Sequence, residues 1–216
     1  MNNVFFKWLK YAIVLGVVVF ALYVNYLDNI IKDEFLKPES SDFMSYEQQS
    51  KTVINMLLIT EDQSFFSHPG VDFKEILRVV RDYVWRDKPL RGASTITQQL
   101  IKNSLLTRER TIDRKLKEIV MALLLELSFD KNFILNYYMN SVYLGQKGNL
   151  SIHGFHQAAK FYFNNDINKL TLEEIATLVA LVKGPSYYHP IKQSQRLAER
   201  RQLVLRLYHK YEKIVK

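Results

Sequence analysis

From Tyr11 to Leu27 the chain runs for 17 residues without a charge, most of them Val, Leu, Ile, Ala, Phe and Tyr. In hydrocarbon a backbone must satisfy its own hydrogen bonds, and a single helix does so within one segment. Seventeen residues is the short end of what crosses a bilayer core of about 30 Å. Val4 to Phe6 and Trp8 to Leu9 lengthen the run. Tyr23, Tyr26 and Trp8 stand where an interfacial belt belongs. A core helix of a soluble domain is the plain alternative, but the run has no polar face. A cleaved signal peptide is another, but no small-x-small site follows. A retained anchor is therefore expected.

Lys7 and Lys10 precede the run, and Asp28, Asp33 and Glu34 follow it. By the positive-inside tendency, residues 1–10 are cytoplasmic, 11–27 form the span, and everything after lies on the far side. Residues 28–44 are polar, with Lys-Pro and Ser-Ser near their centre, and read as a connector. The remainder, 45–216, is long enough for one folded domain. With 48% hydrophobic and 24% charged residues overall, a packed core is expected rather than disorder. There are no cysteines, which removes thiolate catalysis, thiolate metal sites and disulfide staples. The formal charge of +8 suits an anionic partner: nucleic acid, membrane phosphate or a pyrophosphate-bearing substrate.

Within the domain the periodicity is helical, and no run alternates convincingly enough to be a strand. Ser45 with Gln48, Thr95 with Gln98 and Thr171 with Glu174 have capping-box spacing. Helices are expected to about Thr60, over Phe73–Trp85, from about Thr95, and over Asp113–Ser128, where Ile119 to Leu125 reads as apolar all round. More follow over Phe133–Tyr143, Ile152–Phe163 and Leu172–Lys183, with Gly184-Pro185 as a stop, and a basic amphipathic tail from Ser194. Thr107 to Thr111 is a charged link expected to be mobile.

Two stretches carry chemistry. Glu61-Asp62-Gln63-Ser64-Phe65-Phe66-Ser67-His68-Pro69-Gly70 sets adjacent carboxylates beside paired aromatics and a turn. It reads as a helix end opening into a cleft, with Glu61 as the working carboxylate; the bland reading is an acidic terminus pinned by two core Phe. Gly92 to Asn103 opens a helix with small hydroxyl and amide side chains, whose free N–H groups suit an anion or sugar oxygens. A well-capped surface helix would look much the same. Arg114 and Glu118 are one turn apart, and a carboxylate at the edge of an apolar segment needs a partner. His153 and His156 have no further ligand set and read as packing or surface histidines.

Five blocks in order, Glu61–Asp72, Gly92–Asn103, Arg114–Glu118, Lys131–Gly145 and Arg200–Leu205, resemble the peptidoglycan glycosyltransferases of family fifty-one. These occur as monofunctional enzymes and as the N-terminal module of class A penicillin-binding proteins. The resemblance implies a mainly α, lysozyme-like domain with a small membrane-proximal lobe. It implies polymerisation of lipid II into glycan strands, with inversion at the anomeric carbon and release of polyprenyl pyrophosphate. It makes Glu61 and Glu118 the catalytic pair. Glu61 would be the general base, with Phe65 and Phe66 supplying desolvation; Glu118 would lie near the pyrophosphate, able to hold Mg2+ or another divalent cation or to orient the basic residues. Lys102, Arg110, Arg114 and Lys115 become a clamp for the diphosphate. Asp62, Phe65, His68, Ser94, Thr95, Gln98, Gln99 and Asn103 complete the expected substrate-binding set.

Three places depart from the family pattern: Asn136 replaces a usual Glu, Gln193-Ser194 stands where Asn-Pro is common, and Arg108 replaces a commoner small residue or Pro. Ser128 to Lys131 has transpeptidase Ser-x-x-Lys spacing, but no Lys-Thr-Gly follows, so a monofunctional enzyme is expected. Expected partners are lipid II, the growing strand, the cytoplasmic membrane and cell-wall synthesis or division proteins, and no nucleic acid. The expected location is the bacterial inner membrane, single-pass, with the catalytic domain on the outer face. A lytic glycan-cleaving enzyme and a non-catalytic lipid II scaffold are the competing functions.

Overall fold

The computed structural model describes residues 2–38, 42–89, 92–107, 109, 111–190 and 193–212. Among them are nine α-helices and one two-stranded hairpin, so the domain is mainly α as expected. Helix α1 (Asn2–Phe35) does not stop at Leu27. It continues through eight residues of the expected connector because Leu27, Ile31 and Phe35 recur every fourth position and are buried. Phe35 meets Tyr137 at 4.7 Å between ring centroids and Phe129 at 6.2 Å; Phe43, also from the expected connector, lies 5.9 Å from Tyr137. Ahead of Leu27 the same helix is bare: Phe6, Trp8, Val14, Val17, Phe20 and Tyr23 are all exposed.

Two packed groups make the body. In one, α2 (Lys51–Glu61) lies against α8 (Leu172–Val182) and α9 (Ser194–Tyr211). α8 is its centre, with Ile175, Leu178, Val179 and Leu181 buried and its start fixed by the Thr171/Glu174 capping box. In the other, α4 (Ile96–Leu105) packs between α5 (Ile112–Ser128) and α6 (Lys131–Ser141), and α1 lies on α5. Helix α5 is not buried all round: Met121, Ala122 and Leu125 face the core, while Leu116 and Leu127 are exposed. Helix α3 (Phe73–Arg86) stands apart with no residue buried, and its apolar side chains Phe73, Leu77, Val80 and Val84 are exposed.

The hairpin was not legible as strands. β1 (Tyr143–Lys147) pairs antiparallel with β2 (Leu150–His153), with an irregularity between Tyr143 and Gly145. The helix expected from Ile152 therefore begins at Phe155, as α7 (Phe155–Phe163). Gly145 is needed there, since a Cβ would fall onto the Tyr162 hydroxyl, which donates to Leu144 O at 3.0 Å. Asn136, the departure from the family pattern, is buried and accepts from Gln49 Nε2 at 3.0 Å, tying α6 to the segment before α2.

Candidate active site

Glu61 is the last residue of α2, and its side chain is 6% exposed. Three elements converge on it. From α9, Arg200 Nη2 donates to Oε1 at 3.2 Å; from α4, Gln99 Nε2 donates to Oε2 at 3.3 Å. Each carboxylate oxygen has a second lone pair, and Glu61 lines an open cleft with a volume of about 290 Å³. Asp62, Ser64, Asp72, Arg78, Ser94 and Thr95 line it too.

The residues after Glu61 build the wall that holds the cleft open. Asp62 is buried; its carboxylate accepts from His68 Nε2 at 3.0 and 3.1 Å and from the Ile96 backbone N–H at 2.9 Å. Gly70 N–H donates to His68 Nδ1 at 3.1 Å, which fixes the tautomer: the proton sits on Nε2. Thr95 caps α4, accepting from Gln98 N–H, and its own hydroxyl donates to Gly70 O at 2.6 Å. Gln98 is buried and returns the capping bond to Thr95 N–H at 3.1 Å. Gly70 (φ +91°) approaches α5 so closely that a Cβ would lie 2.5 Å from Ala122 O. Asp62, His68, Thr95 and Gln98 thus lock the turn after α2 to the start of α4.

The aromatics behave differently from expectation. Phe65 is buried beneath Lys131, whose Nζ stands 4.4 Å from its ring centroid, and against His68; Phe66 is exposed. The groups found on Glu61 are Gln99 and Arg200 instead. Lys131 also donates to His68 O and to Glu126, which in turn accepts from Thr97.

On the other flank, Glu118 is 2% exposed and is held by two cations of its own helix. Arg114 Nη1 donates to Oε2 at 2.7 Å, and Lys115 Nζ to Oε1. Lys115 also donates to Ser94 Oγ at 3.1 Å, which connects this cluster to the cleft that Glu61 lines. Lys102 faces the same cluster from α4. Desolvation lowers its pKa first; Glu118 opposes this, and Lys115, Arg114 and Lys183 add to it. Cations crowded around one buried carboxylate leave net positive charge for an anion to relieve. Asn103 is exposed beside Lys102 on α4. Arg110, expected in the clamp, lies outside the described residues, as does Arg108 of the charged link.

A resident metal fits this donor set poorly. Both Glu118 oxygens are engaged by cations, and among the described residues no three His, Asp or Glu side chains are grouped to hold an ion.

Sequence reading missed Arg200 and Lys183. Arg200 opens the fifth block and Lys183 precedes the Gly-Pro stop, but pairing Arg200 with a carboxylate 139 positions away requires the fold.

Fold and cleft together define a class: a mainly helical enzyme domain with one held carboxylate beside a bank of cations. Comparison with protein-family models matches residues 28–209 to the transglycosylase family. The chain belongs to that family. It is 42% identical over 181 residues to penicillin-binding protein 1B of Haemophilus influenzae, covering 83% of this chain and 23% of that protein. It is 43% identical over 155 residues to penicillin-binding protein 1B of Escherichia coli, covering 72% and 18%. Against penicillin-binding protein 1A of Aquifex aeolicus it is 35% identical over 215 residues, covering 90% and 29%. The chain thus spans less than a third of the length of each of these relatives.

Proposed function

We propose that this chain is a membrane-anchored peptidoglycan glycosyltransferase that joins lipid II units into glycan strands. The observation that carries the reading is the continuity of one cleft. Glu61 and Ser94 line it together, and Ser94 accepts from Lys115 of the cation cluster. That is what transfer from a sugar diphosphate requires: a base and positive charge facing one cleft.

In this reading Glu61 takes the proton of the acceptor sugar hydroxyl as its oxygen attacks the donor's anomeric carbon. The bond to the diphosphate breaks on the opposite face, so configuration inverts, and the electron pair leaves with polyprenyl diphosphate. Arg114, Lys115, Lys102 and Lys183 meet the charge developing there. Glu118 keeps Arg114 and Lys115 in place and balances them. Mg2+ or another divalent cation, if bound, would be held by the diphosphate rather than by a protein centre and would neutralise charge there.

The membrane part rests on α1, whose segment Phe5–Phe35 is long and apolar enough to cross a bilayer. Its bare part, Phe5 to Tyr26, extends about 33 Å at ~1.5 Å per residue. Lys7 and Lys10, at its N-terminal end and ahead of the uncharged run from Tyr11, direct the domain to the outer face. The unpartnered apolar face of α3 supports a second contact with the lipid surface. In nanodiscs carrying a Trp8→Phe variant, Trp85 fluorescence should be quenched by lipid-borne bromine; quenching only by aqueous iodide would remove α3 from the membrane.

The deciding experiment incubates full-length protein in detergent with labelled lipid II. Polymer from the parent and none from Glu61→Gln is expected. Degradation of preformed glycan by the parent would show a lytic enzyme, and lipid II binding without polymer would show a scaffold.

A further inference from the structure

The amide of Gln99 can face Glu61 in two ways. With its nitrogen forward it donates to Oε2, as found at 3.3 Å. Turned over, it would set its own carbonyl oxygen against a carboxylate oxygen, which repels a carboxylate and favours protonation. What selects the first arrangement lies behind Gln99, on α6. Tyr138 Oη donates to Gln99 Oε1 at 2.9 Å. Tyr138 is fully buried, so its hydroxyl has no water to turn to. Burial first, and then the nearby Glu61 and Asp62 carboxylates, push its pKa well above the ordinary tyrosine value. The hydroxyl is therefore a permanent donor.

We propose that Tyr138 is a positioning residue for proton transfer at Glu61 and acts through Gln99. Its hydroxyl holds the amide nitrogen-forward. The carboxylate is then held between Gln99 on one oxygen and Arg200 on the other, with its remaining lone pairs turned to the acceptor hydroxyl. When Glu61 takes the proton, the carboxylate becomes a neutral acid. The relay fixes which group meets that carboxylate as the proton arrives. The pattern is set by the fold: α2 contributes the base, α4 the amide, α6 the hydroxyl and α9 the guanidinium. This inference deepens the proposed base role of Glu61 and rests on it.

Tyr138→Phe is the informative variant, because the ring still fills its place in the core while the donor is gone. Initial rates of lipid II polymerisation by the full-length protein in detergent are measured across pH and lipid II concentration. The acid limb of kcat/KM should move up by about one pH unit, which lowers the rate about tenfold on the acid side. At the alkaline end the parental rate should return, with KM little changed. Gln99→Leu should show at least the same displacement of the acid limb, with a lower plateau because its amide touches Glu61 directly. The double variant Tyr138→Phe/Gln99→Leu should be no worse than Gln99→Leu alone, since the hydrogen-bonded route from Tyr138 to Glu61 runs through Gln99. A loss equal at every pH, no change in the profile, or penalties that add in the double variant would overturn the proposal. Polymerisation by Glu61→Gln would instead overturn the base role itself, so the two failures are separable.

Discussion

Replacing Glu118 with Gln separates balancing charge from binding substrate. Glu118 is 2% exposed and meets Arg114, 17% exposed, at 2.7 Å. A hydrogen bond to a buried charged group contributes about 1.5–3 kcal/mol. Lys115 is 40% exposed, so solvent screening leaves its share well under 1 kcal/mol. Gln keeps the shape and one acceptor, so the net loss should be about 2–3 kcal/mol. At roughly 2–4 °C per kcal/mol for a chain of this size, Tm should fall by about 5–10 °C. The second reading is the sharper one. Without the carboxylate, Arg114, Lys115, Lys102 and Lys183 repel one another with no counter-charge, and inorganic diphosphate can take its place. Saturating diphosphate, at about 100 times Kd, contributes about 2.7 kcal/mol to any protein that binds it only when folded. The upward shift in Tm at a fixed diphosphate concentration should therefore be larger for Glu118→Gln than for the parent, while polymerisation falls. Differential scanning fluorimetry of detergent-solubilised full-length protein reads both. An unchanged Tm would refute the claim that Glu118 offsets cation repulsion. A diphosphate response smaller in the variant than in the parent would show that Glu118 helps to hold the ligand.

Three further outcomes follow from the same geometry. Because Lys102 is depressed below the ordinary lysine range, its charge in the free protein is lost earlier as pH rises, so diphosphate affinity should start to fall below that range. Lys102→Arg, which stays charged, should abolish this dependence in a titration by calorimetry, and an unaltered pH profile would count against it. Gly70→Ala places a Cβ 2.5 Å from Ala122 O at a left-handed φ, and should cost about 2–4 kcal/mol by thermal or urea unfolding; a cost under 1 kcal/mol would mean that α5 yields there. Chelation with EDTA should leave the Tm shift caused by inorganic diphosphate intact, since both Glu118 oxygens are held by cations; loss of the shift would mean that the cations alone do not hold the anion and that a divalent ion takes part in its binding.

The legible parts of this fold were those written locally. Thr95 with Gln98 and Thr171 with Glu174 announced the starts of α4 and α8 from spacing alone, and both boxes are formed. Glu61 at the end of α2 was read from a change of composition within four residues. The hairpin was lost because its strands are five and four residues long, contain Gly145, and bury on no regular alternation. α1 was cut short because the polar residues 28–34 masked the Leu27, Ile31 and Phe35 spacing, whose meaning depends on α5 being there to receive it. Side-chain partnerships across the fold were out of reach altogether. Asp62 and His68 sit six positions apart and were read as cleft residues, but nothing local says that they grip each other and the first N–H of α4. Arg200 and Tyr138, the farthest partners in the Glu61 network, come from blocks whose local signal was only that of α9 and α6.

The unbroken passage of α1 from bare apolar surface into the domain core has a mechanical meaning. A flexible strap would let the catalytic body swivel and drift above the bilayer. A continuous helix seated by Leu27, Ile31 and Phe35 is instead a shaft with its handle built into the machine. At ~1.5 Å per residue, Tyr26 and Phe35 are about 13 Å apart along one axis, so the working height of the cleft is set in helical turns and not by chance. In the membrane-spanning role proposed for it, tilting that shaft, as a thicker or thinner bilayer would, tilts the tool. Replacing residues 27–35 with a flexible linker would remove three side chains, Leu27, Ile31 and Phe35, from the bearing in which the whole body sits.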